Sequence, residues 1–171
     1  KYHIFAFTVN LLGLYWLGAR NVLIPNPRQL SNLKRAFENY NITWMSGVNT
    51  LFNGLSNEIW FLDTPPKDLK FASAGGMALH SSVAKRWEEV TGKPVLEGYG
   101  LTESSPVLTF NPLGKTRAGS IGIPLPSTYL ACVDEDGTPV PQGETGELAA
   151  SGPQIMKGYW KRDDETAKSI T

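Results

Sequence analysis

The strongest constraint on the fold is a regular alternation of strand-like and helix-like segments in the middle of the chain. Residues 69–74 form a short apolar run that is typical of a strand. Residues 81–91 place apolar side chains on one face and charged side chains largely on the other, which predicts an amphipathic helix capped by Gly92. Residues 93–97 then resume a buried-strand pattern. Strands and helices that alternate with short connections predict a parallel sheet with right-handed crossovers.

The residues before this unit show the same alternation less clearly. Residues 5–19 predict a buried helix, since about fifteen apolar positions fall short of the ~20 that cross a membrane. Residues 22–24 predict a strand, and Ser31 is expected to cap a helix that follows it. Residues 42–45 predict another strand. A further helix is expected from Thr50, ending before the prolines that follow Thr64.

The pattern changes after Pro112, where short apolar segments are separated by turn residues such as Asp136-Gly137. Short strands separated by turns predict antiparallel pairing. We therefore expect an α/β fold in which a parallel sheet with flanking helices is followed by part of a small antiparallel β-barrel. The predicted division is an α/β subdomain over residues 1–115 and a barrel-like subdomain over residues 116–171.

The segment Gly98-Tyr99-Gly100-Leu101-Thr102-Glu103 contains the groups best suited to chemistry. Glycines allow a sharp backbone turn and the close approach of a ligand. Tyrosine offers a flat face for a base, threonine a hydroxyl for a phosphate oxygen, and glutamate a carboxylate for magnesium. An ordinary turn leading into an exposed helix explains the same residues. A dinucleotide-binding fingerprint is rejected because no long helix follows and Pro106 comes soon after.

Two other glycine-containing segments follow predicted strands of the same sheet. Gly47-Val48 comes after the strand at residues 42–45, and Gly75-Gly76 comes after the strand at residues 69–74. Because parallel strands end at one edge of a sheet, these segments and Gly98–Gly100 are expected to line one crevice. A crevice with a glycine backbone floor suits flat or slender ligands. Turns that bind no ligand are the alternative for Gly75 and Gly76.

Three motifs, taken in their order along the chain, resemble those of the adenylate-forming superfamily. They are Tyr2-His3-Ile4-Phe5, the segment 99–103, and Gly146-Glu147-Leu148 with the segment 152–160. That superfamily comprises acyl-CoA synthetases, peptide-synthetase adenylation domains and luciferases. Within it, residues 47–53 and 97–103 look most like bacterial long-chain fatty acid–CoA ligases. The resemblance covers nearly the whole chain and implies the same two-part division.

The resemblance also implies roles for the nucleotide side of the site. The loop at Gly75 and Gly76 would lie along the adenine, and Tyr99, between Gly98 and Gly100, would stack near the base. Thr102 would contact the α-phosphate, and Glu103 would bind Mg²⁺. His3, Thr102 and Glu103 are thus the expected catalytic residues, with ATP, Mg²⁺ and coenzyme A as cofactors and co-substrates.

The acyl side is expected to involve His3, beside the carboxylate and the thiol entry route, and Phe7, where some relatives carry an aromatic gate. A histidine near a buried helix is otherwise most simply a core residue. Apolar side chains at Val48, Leu51, Phe52 and Leu101 could line an acyl tunnel, since burying methylenes contributes roughly 0.8 kcal/mol each. An ordinary core would contain the same residues.

Composition narrows the functional classes. Sixteen basic and sixteen acidic residues balance, so no overall field favours nucleic acid. The one cysteine, Cys132, excludes an internal disulfide and is compatible with a reducing cytoplasm, where we expect it to be a small apolar residue of a strand. Peripheral contact with the inner face of the cell membrane and a homodimer are left open.

The sequence also lacks motifs that the resemblance would lead us to expect. The family places a phosphate-binding loop upstream of the Tyr-His motif, and a ribose-binding aspartate, a hinge and a catalytic lysine beyond the segment 152–160. The chain therefore resembles the central piece of a larger enzyme. We expect the full protein to convert a fatty acid, ATP and coenzyme A to acyl-CoA through an acyl-adenylate, and these 171 residues alone to lack ligase turnover.

Overall fold

A computed structural model describes residues 3–170 of the chain. The helices are an N-terminal π-helix (Ala6–Leu14), α1 (Leu30–Asn39), α2 (Asn49–Leu55), α3 (Ile59–Asp63), α4 (Ser81–Thr91), a 3₁₀ turn (Thr102–Ser104) and α5 (Asp163–Ser169). The strands are β1 (Trp44–Gly47), β2 (Phe71–Ala74), β3 (Val95–Gly100), β4 (Val107–Phe110), β5 (Ile123–Pro124), β6 (Tyr129–Val133) and β7 (Glu147–Ser151).

Five of the strands form one mixed sheet in the order β1-β2-β3-β4-β5. The pairs β1–β2 and β2–β3 are parallel, which confirms the predicted parallel unit. The pairs β3–β4 and β4–β5 are antiparallel. Helix α4 runs over the predicted residues and ends at Gly92, which adopts a left-handed conformation with φ of 66°.

The core lies between the parallel strands and the helices that connect them. Three rings with no exposed surface stand at its centre, Phe52 of α2, Phe61 of α3 and Trp87 of α4. Phe52 meets Trp87 edge-on with ring centroids 5.0 Å apart, and Phe61 lies 5.3 Å from the same indole. Aromatic packing at these separations adds to the burial of apolar area and fixes α2, α3 and α4 against the sheet.

The prediction of a buried N-terminal helix is half wrong. A helix forms, and its central turns are π-helical, but none of the residues of Ala6–Leu14 is fully buried. Leu12 is 51% exposed and Trp16 89% exposed. Apolar composition alone was a poor guide to burial here, because no other element of residues 3–170 covers this face. Within those residues, every helix is too short or too polar to cross a bilayer.

Three smaller predictions are also corrected. Residues 22–24 form no strand, because they find no partner in a sheet. Ser31 does not cap α1, which begins at Leu30 with Gln29 in the N-cap position. The helix expected from Thr50 is split into α2 and α3, with a break at Ser56-Asn57.

The antiparallel pairing predicted for the second part of the chain is present. β6 pairs with β7 over five residue pairs to form a hairpin, and Cys132 lies in β6 with an exposed side chain. The described residues form this hairpin and no closed barrel. β5 lies beyond residue 115 and yet pairs with β4, so antiparallel pairing crosses the expected boundary. The division at residue 115 stays a prediction.

Candidate functional site

The register of the parallel strands brings the three glycine-containing segments together. Gly47 at the end of β1 pairs with Ala74 at the end of β2, and Ala74 pairs with Glu97 of β3. The next residues along each strand, Val48, Gly75 and Gly98, therefore lie side by side at one edge of the sheet. Convergence at this edge is the arrangement that the sequence predicted.

The glycines of β3 act differently from the prediction. Gly98, Tyr99 and Gly100 do not form a turn, because β3 continues through Gly100 and pairs with β4. A Cβ atom at Gly98 would lie 2.7 Å from Cδ2 of Phe110, and one at Gly100 would collide with the carbonyl of Pro106. These glycines are needed because β4 and the residue before it pack closely against β3, so the missing side chains make room for Phe110 and for the Pro106 carbonyl.

The chain turns instead in the 3₁₀ turn that follows Leu101, just before Pro106. Ser104 is buried and fixes this turn, because its hydroxyl accepts a hydrogen bond from the Leu101 amide at 2.9 Å and donates to the Pro106 carbonyl at 2.8 Å. Thr102 is exposed and Glu103 is half-buried. The two residues predicted to meet a phosphate and a metal thus project from a short, internally bonded turn at the end of β3.

Glu103 is held by a segment that lies far away in sequence. The Tyr159 hydroxyl donates to Oε1 of Glu103 at 2.8 Å, and the Met156 amide donates to the Glu103 carbonyl at 2.8 Å. The hydrogen bond to Glu103 is the main cause of a raised pKa for Tyr159, since ionisation would place a phenolate against a carboxylate. Sequence reasoning assigned no role to Tyr159, although it lies in the Gly152–Trp160 motif.

The N-terminal helix lies against the same edge of the sheet. Asn10 Oδ1 accepts a hydrogen bond of 2.8 Å from the Ser46 hydroxyl of β1. The ring of Phe5 approaches Gly75, where a Cβ atom would lie 3.2 Å from Cζ of that ring. His3 is exposed, and its Nδ1 accepts a hydrogen bond of 3.2 Å from the Phe5 amide. His3 is therefore not a core residue, and Phe5 links it to the end of β2.

Known proteins with similar sequences identify the family of this chain. The family model described as AMP-binding enzyme matches residues 1–160. The chain belongs to this family. It is 48% identical over 96% of its length to a long-chain-fatty-acid–CoA ligase of Yersinia pestis, and 36% identical over 97% to one of Bacillus subtilis. In each case it spans about 30% of the relative's length.

Solved structures of similar proteins support the membership. An anthranilate CoA ligase in complex with anthranoyl-AMP superposes with a TM-score of 0.90 at 26% identity, covering 96% of this chain and 32% of that one. A long-chain-fatty-acid-CoA ligase from Archaeoglobus fulgidus gives a TM-score of 0.67 at 27% identity, over 82% of this chain and 30% of that one. The α/β architecture predicted from the sequence is thus that of AMP-binding enzymes.

The residues that follow β2 and β3 fit a site for Mg²⁺. No cluster of three or more His, Cys, Asp or Glu side chains that could hold a metal occurs in residues 3–170. Mg²⁺ does not need one, because it is commonly held by one or two carboxylates with phosphate oxygens and water. Glu103 could supply the carboxylate. Gly76 is exposed, and a Cβ atom there would meet nothing within 4 Å, so the space above this residue is open.

The apolar residues considered for acyl binding lie in three different environments. Val48 and Leu101 are exposed and directly follow β1 and β3, and Phe7 is exposed on the N-terminal helix. Phe52 has no exposed surface and lies in the hydrophobic core, which agrees with the core alternative for this position. Leu51 lines an open hollow of about 990 Å³. That hollow lies between the N-terminal helix, α1 and β1, beside the outer strand of the sheet.

Sequence reasoning also missed Asn111, a buried residue of this AMP-binding chain. Its amide nitrogen donates to the carbonyls of Glu97 and Ser120, at 3.0 and 2.6 Å, and its Oδ1 accepts from the Arg117 amide at 3.1 Å. Asn111 thereby joins β3 to the loop at residues 112–120. The sequence indicated this role only weakly, since a single asparagine before a proline is typical of an ordinary turn.

Proposed function

We propose that the protein containing this chain is an ATP-dependent long-chain fatty acid–CoA ligase. The observation that carries the proposal is the 48% identity to such a ligase along 96% of the chain. The meeting of Val48, Gly75 and Gly98 at one sheet edge, next to Thr102 and Glu103, supports it independently of the identity.

The first half-reaction joins the fatty acid to the nucleotide. A carboxylate oxygen of the fatty acid attacks the α-phosphorus of ATP, and pyrophosphate leaves. The nucleotide lies along the open backbone at Gly76, with Gly75, Gly98 and Gly100 shaping the strand ends behind it and Tyr99 near the base. The exposed Thr102 hydroxyl donates to an α-phosphate oxygen. Glu103 would hold Mg²⁺, and the chemistry the ion would supply there is neutralisation of phosphate charge.

The second half-reaction transfers the acyl group. The thiol of coenzyme A attacks the acyl carbon and AMP leaves. His3 would lie beside the reacting acyl group, since the contact between Phe5 and Gly75 holds the start of the N-terminal helix at the end of β2. Phe7, Val48 and Leu101 offer exposed apolar surface near this edge for the alkyl chain. Peripheral membrane contact, a homodimer and a cytoplasmic location stay predictions.

The decisive experiment uses the full-length protein and measures AMP release with ATP, coenzyme A and a panel of acids. We expect turnover with long-chain fatty acids and little with aryl or amino acids. Glu103→Ala should lower the rate of adenylate formation on the order of 100-fold, which the loss of a few kcal/mol of charge stabilisation produces. Glu135→Ala, at an exposed turn outside the site, is the matched control and should leave the rate unchanged.

Two results would contradict the proposal. Turnover with an aryl or amino acid in place of fatty acids would assign the protein to another acid within the family, as the similarity to an anthranilate CoA ligase allows. Full activity of the Glu103→Ala protein, or no AMP release with any acid, would favour a nucleotide-binding module without this chemistry. A separate pyrophosphate-release assay on the 171 residues alone should show no turnover.

A further inference from the structure

We propose that Tyr159 is a positioning residue that holds the Glu103 carboxylate so that it presents a single oxygen, Oε2, to a divalent cation. The inference rests on the proposed function, in which Glu103 is the metal-binding residue. It concerns how that carboxylate is oriented, a property determined by a segment more than fifty residues away.

The segment at residues 156–159 fixes both ends of Glu103. The Met156 amide bonds to the Glu103 carbonyl and fixes the backbone of the turn, while the Tyr159 hydroxyl bonds to Oε1 and fixes the side chain. A half-buried glutamate on a three-residue turn would otherwise exchange between rotamers. Because one partner is a backbone amide and the other a rigid phenol, the carboxylate is left with little freedom.

Tyr159 is itself anchored. Its amide donates to Oγ1 of Thr166 at 2.9 Å, and that hydroxyl donates to the Arg162 carbonyl at 2.9 Å. Thr166 lies in α5, and Arg162 is the N-cap residue of that helix. The position of the phenol is therefore set by the start of a helix, so that α5, Tyr159 and the turn after β3 form one connected unit.

The chemistry of the contact selects which oxygen is available. The Tyr159 phenol donates to Oε1 and occupies one of its two lone-pair directions, whereas no hydrogen bond from residues 3–170 reaches Oε2, so Oε2 is the more accessible oxygen. Mg²⁺ takes a carboxylate oxygen at about 2.0–2.1 Å, in an octahedral shell completed by phosphate oxygens and water. Partners that bond to a ligating carboxylate orient it, and their loss typically weakens metal binding or activity about 10–100-fold.

The test compares Tyr159→Phe with Tyr129→Phe in the full-length protein. Tyr159→Phe removes only the hydroxyl, and Tyr129 is an exposed tyrosine of β6 outside the site. Mn²⁺ binding is measured by electron paramagnetic resonance in the presence of a non-hydrolysable ATP analogue. We expect Tyr159→Phe to weaken Mn²⁺ binding about tenfold, and Tyr129→Phe to leave it at the wild-type value.

Kinetics provide a second readout. Tyr159→Phe should raise the Mg²⁺ concentration for half-maximal adenylate formation by a similar factor, while the rate at saturating Mg²⁺ stays close to wild type. A purely structural role would instead lower the rate at every Mg²⁺ concentration together with the melting temperature, and would overturn the inference. Wild-type Mn²⁺ affinity in Tyr159→Phe would also overturn it.

The outcome is separable from that of the proposed function. If Glu103→Gln weakens Mn²⁺ binding and Tyr159→Phe does not, the positioning role is wrong while the metal role of Glu103 stands. If Glu103→Gln leaves Mn²⁺ binding unchanged, the metal role in the proposed function is wrong and the positioning role falls with it.

Discussion

The Tyr159 hydroxyl donates to Oε1 of Glu103 at 2.8 Å across 56 residues of sequence. This contact joins the turn after β3 to the loop that precedes α5. It brings two of the three family motifs into direct contact, although the sequence gives no indication that they touch.

The raised pKa of Tyr159 is open to a direct test. Its main cause is the hydrogen bond to Glu103, which favours the neutral phenol. The contact therefore contributes stability below the ordinary tyrosine pKa of about 10, and this contribution is lost as the pH rises through the raised value. Glu103→Gln should move the pKa of Tyr159 down towards the ordinary value. The phenolate absorbance of each protein minus that of its Tyr159→Phe counterpart measures this.

Gly100→Ala should destabilise the fold because the chain just before β4 occupies the space that a side chain would need. A Cβ atom would collide with the Pro106 carbonyl, and overpacking against backbone costs about 1–3 kcal/mol or more. Gly13→Ala is the matched control. There, a Cβ atom would lie 3.4 Å from the Thr8 carbonyl oxygen, an ordinary contact. Urea denaturation should show a lower free energy of unfolding for Gly100→Ala, and equal losses in both variants would contradict the prediction.

Asn111→Ala should release the loop at residues 112–120 from β3. The substitution removes two donated hydrogen bonds and one accepted one, each worth roughly 0.5–1.5 kcal/mol, while the Glu97 carbonyl keeps its bond from the backbone amide of residue 111. Hydrogen exchange at the Arg117 amide, which loses its acceptor, should accelerate. Asn57→Ala, at an exposed position, should not change this exchange. Unchanged protection of Arg117 in Asn111→Ala would show that other contacts hold the loop.

The sequence predicted the parallel unit well because local signals agreed with tertiary structure there. In α4, apolar periodicity and a glycine at the C-terminus both point to the bounds that the structure has. The strand ends could also be placed at one edge, since parallel order dictates it. The strand prediction for residues 22–24 was wrong, because a β-branched run forms a strand only where a partner strand is present.

The interior of the site was less predictable. The sequence Gly98-Tyr99-Gly100 is typical of a turn, but these residues continue β3. The close packing of the chain at residues 106–110 explains why glycine is required there. The roles of Tyr159 and Asn111 depend on contacts between distant segments, which periodicity and local motifs do not encode. Phe52 illustrates a further ambiguity, because the same apolar residue types line a core and a tunnel, and the sequence alone does not distinguish the two.

The hydrogen bond between Asn10 and Ser46 should couple the N-terminal helix to β1. It is partly buried at 2.8 Å, and a neutral hydrogen bond of this kind contributes roughly 0.5–1.5 kcal/mol. Asn10→Ala, Ser46→Ala and the double variant form a thermodynamic cycle, in which the double variant should lose less stability than the sum of the single losses. Asn10→Ala combined with Asn57→Ala is the control pair and should be additive. Additive losses for Asn10 and Ser46 would show that the helix which carries Phe5 and Phe7 is held to the sheet by packing alone.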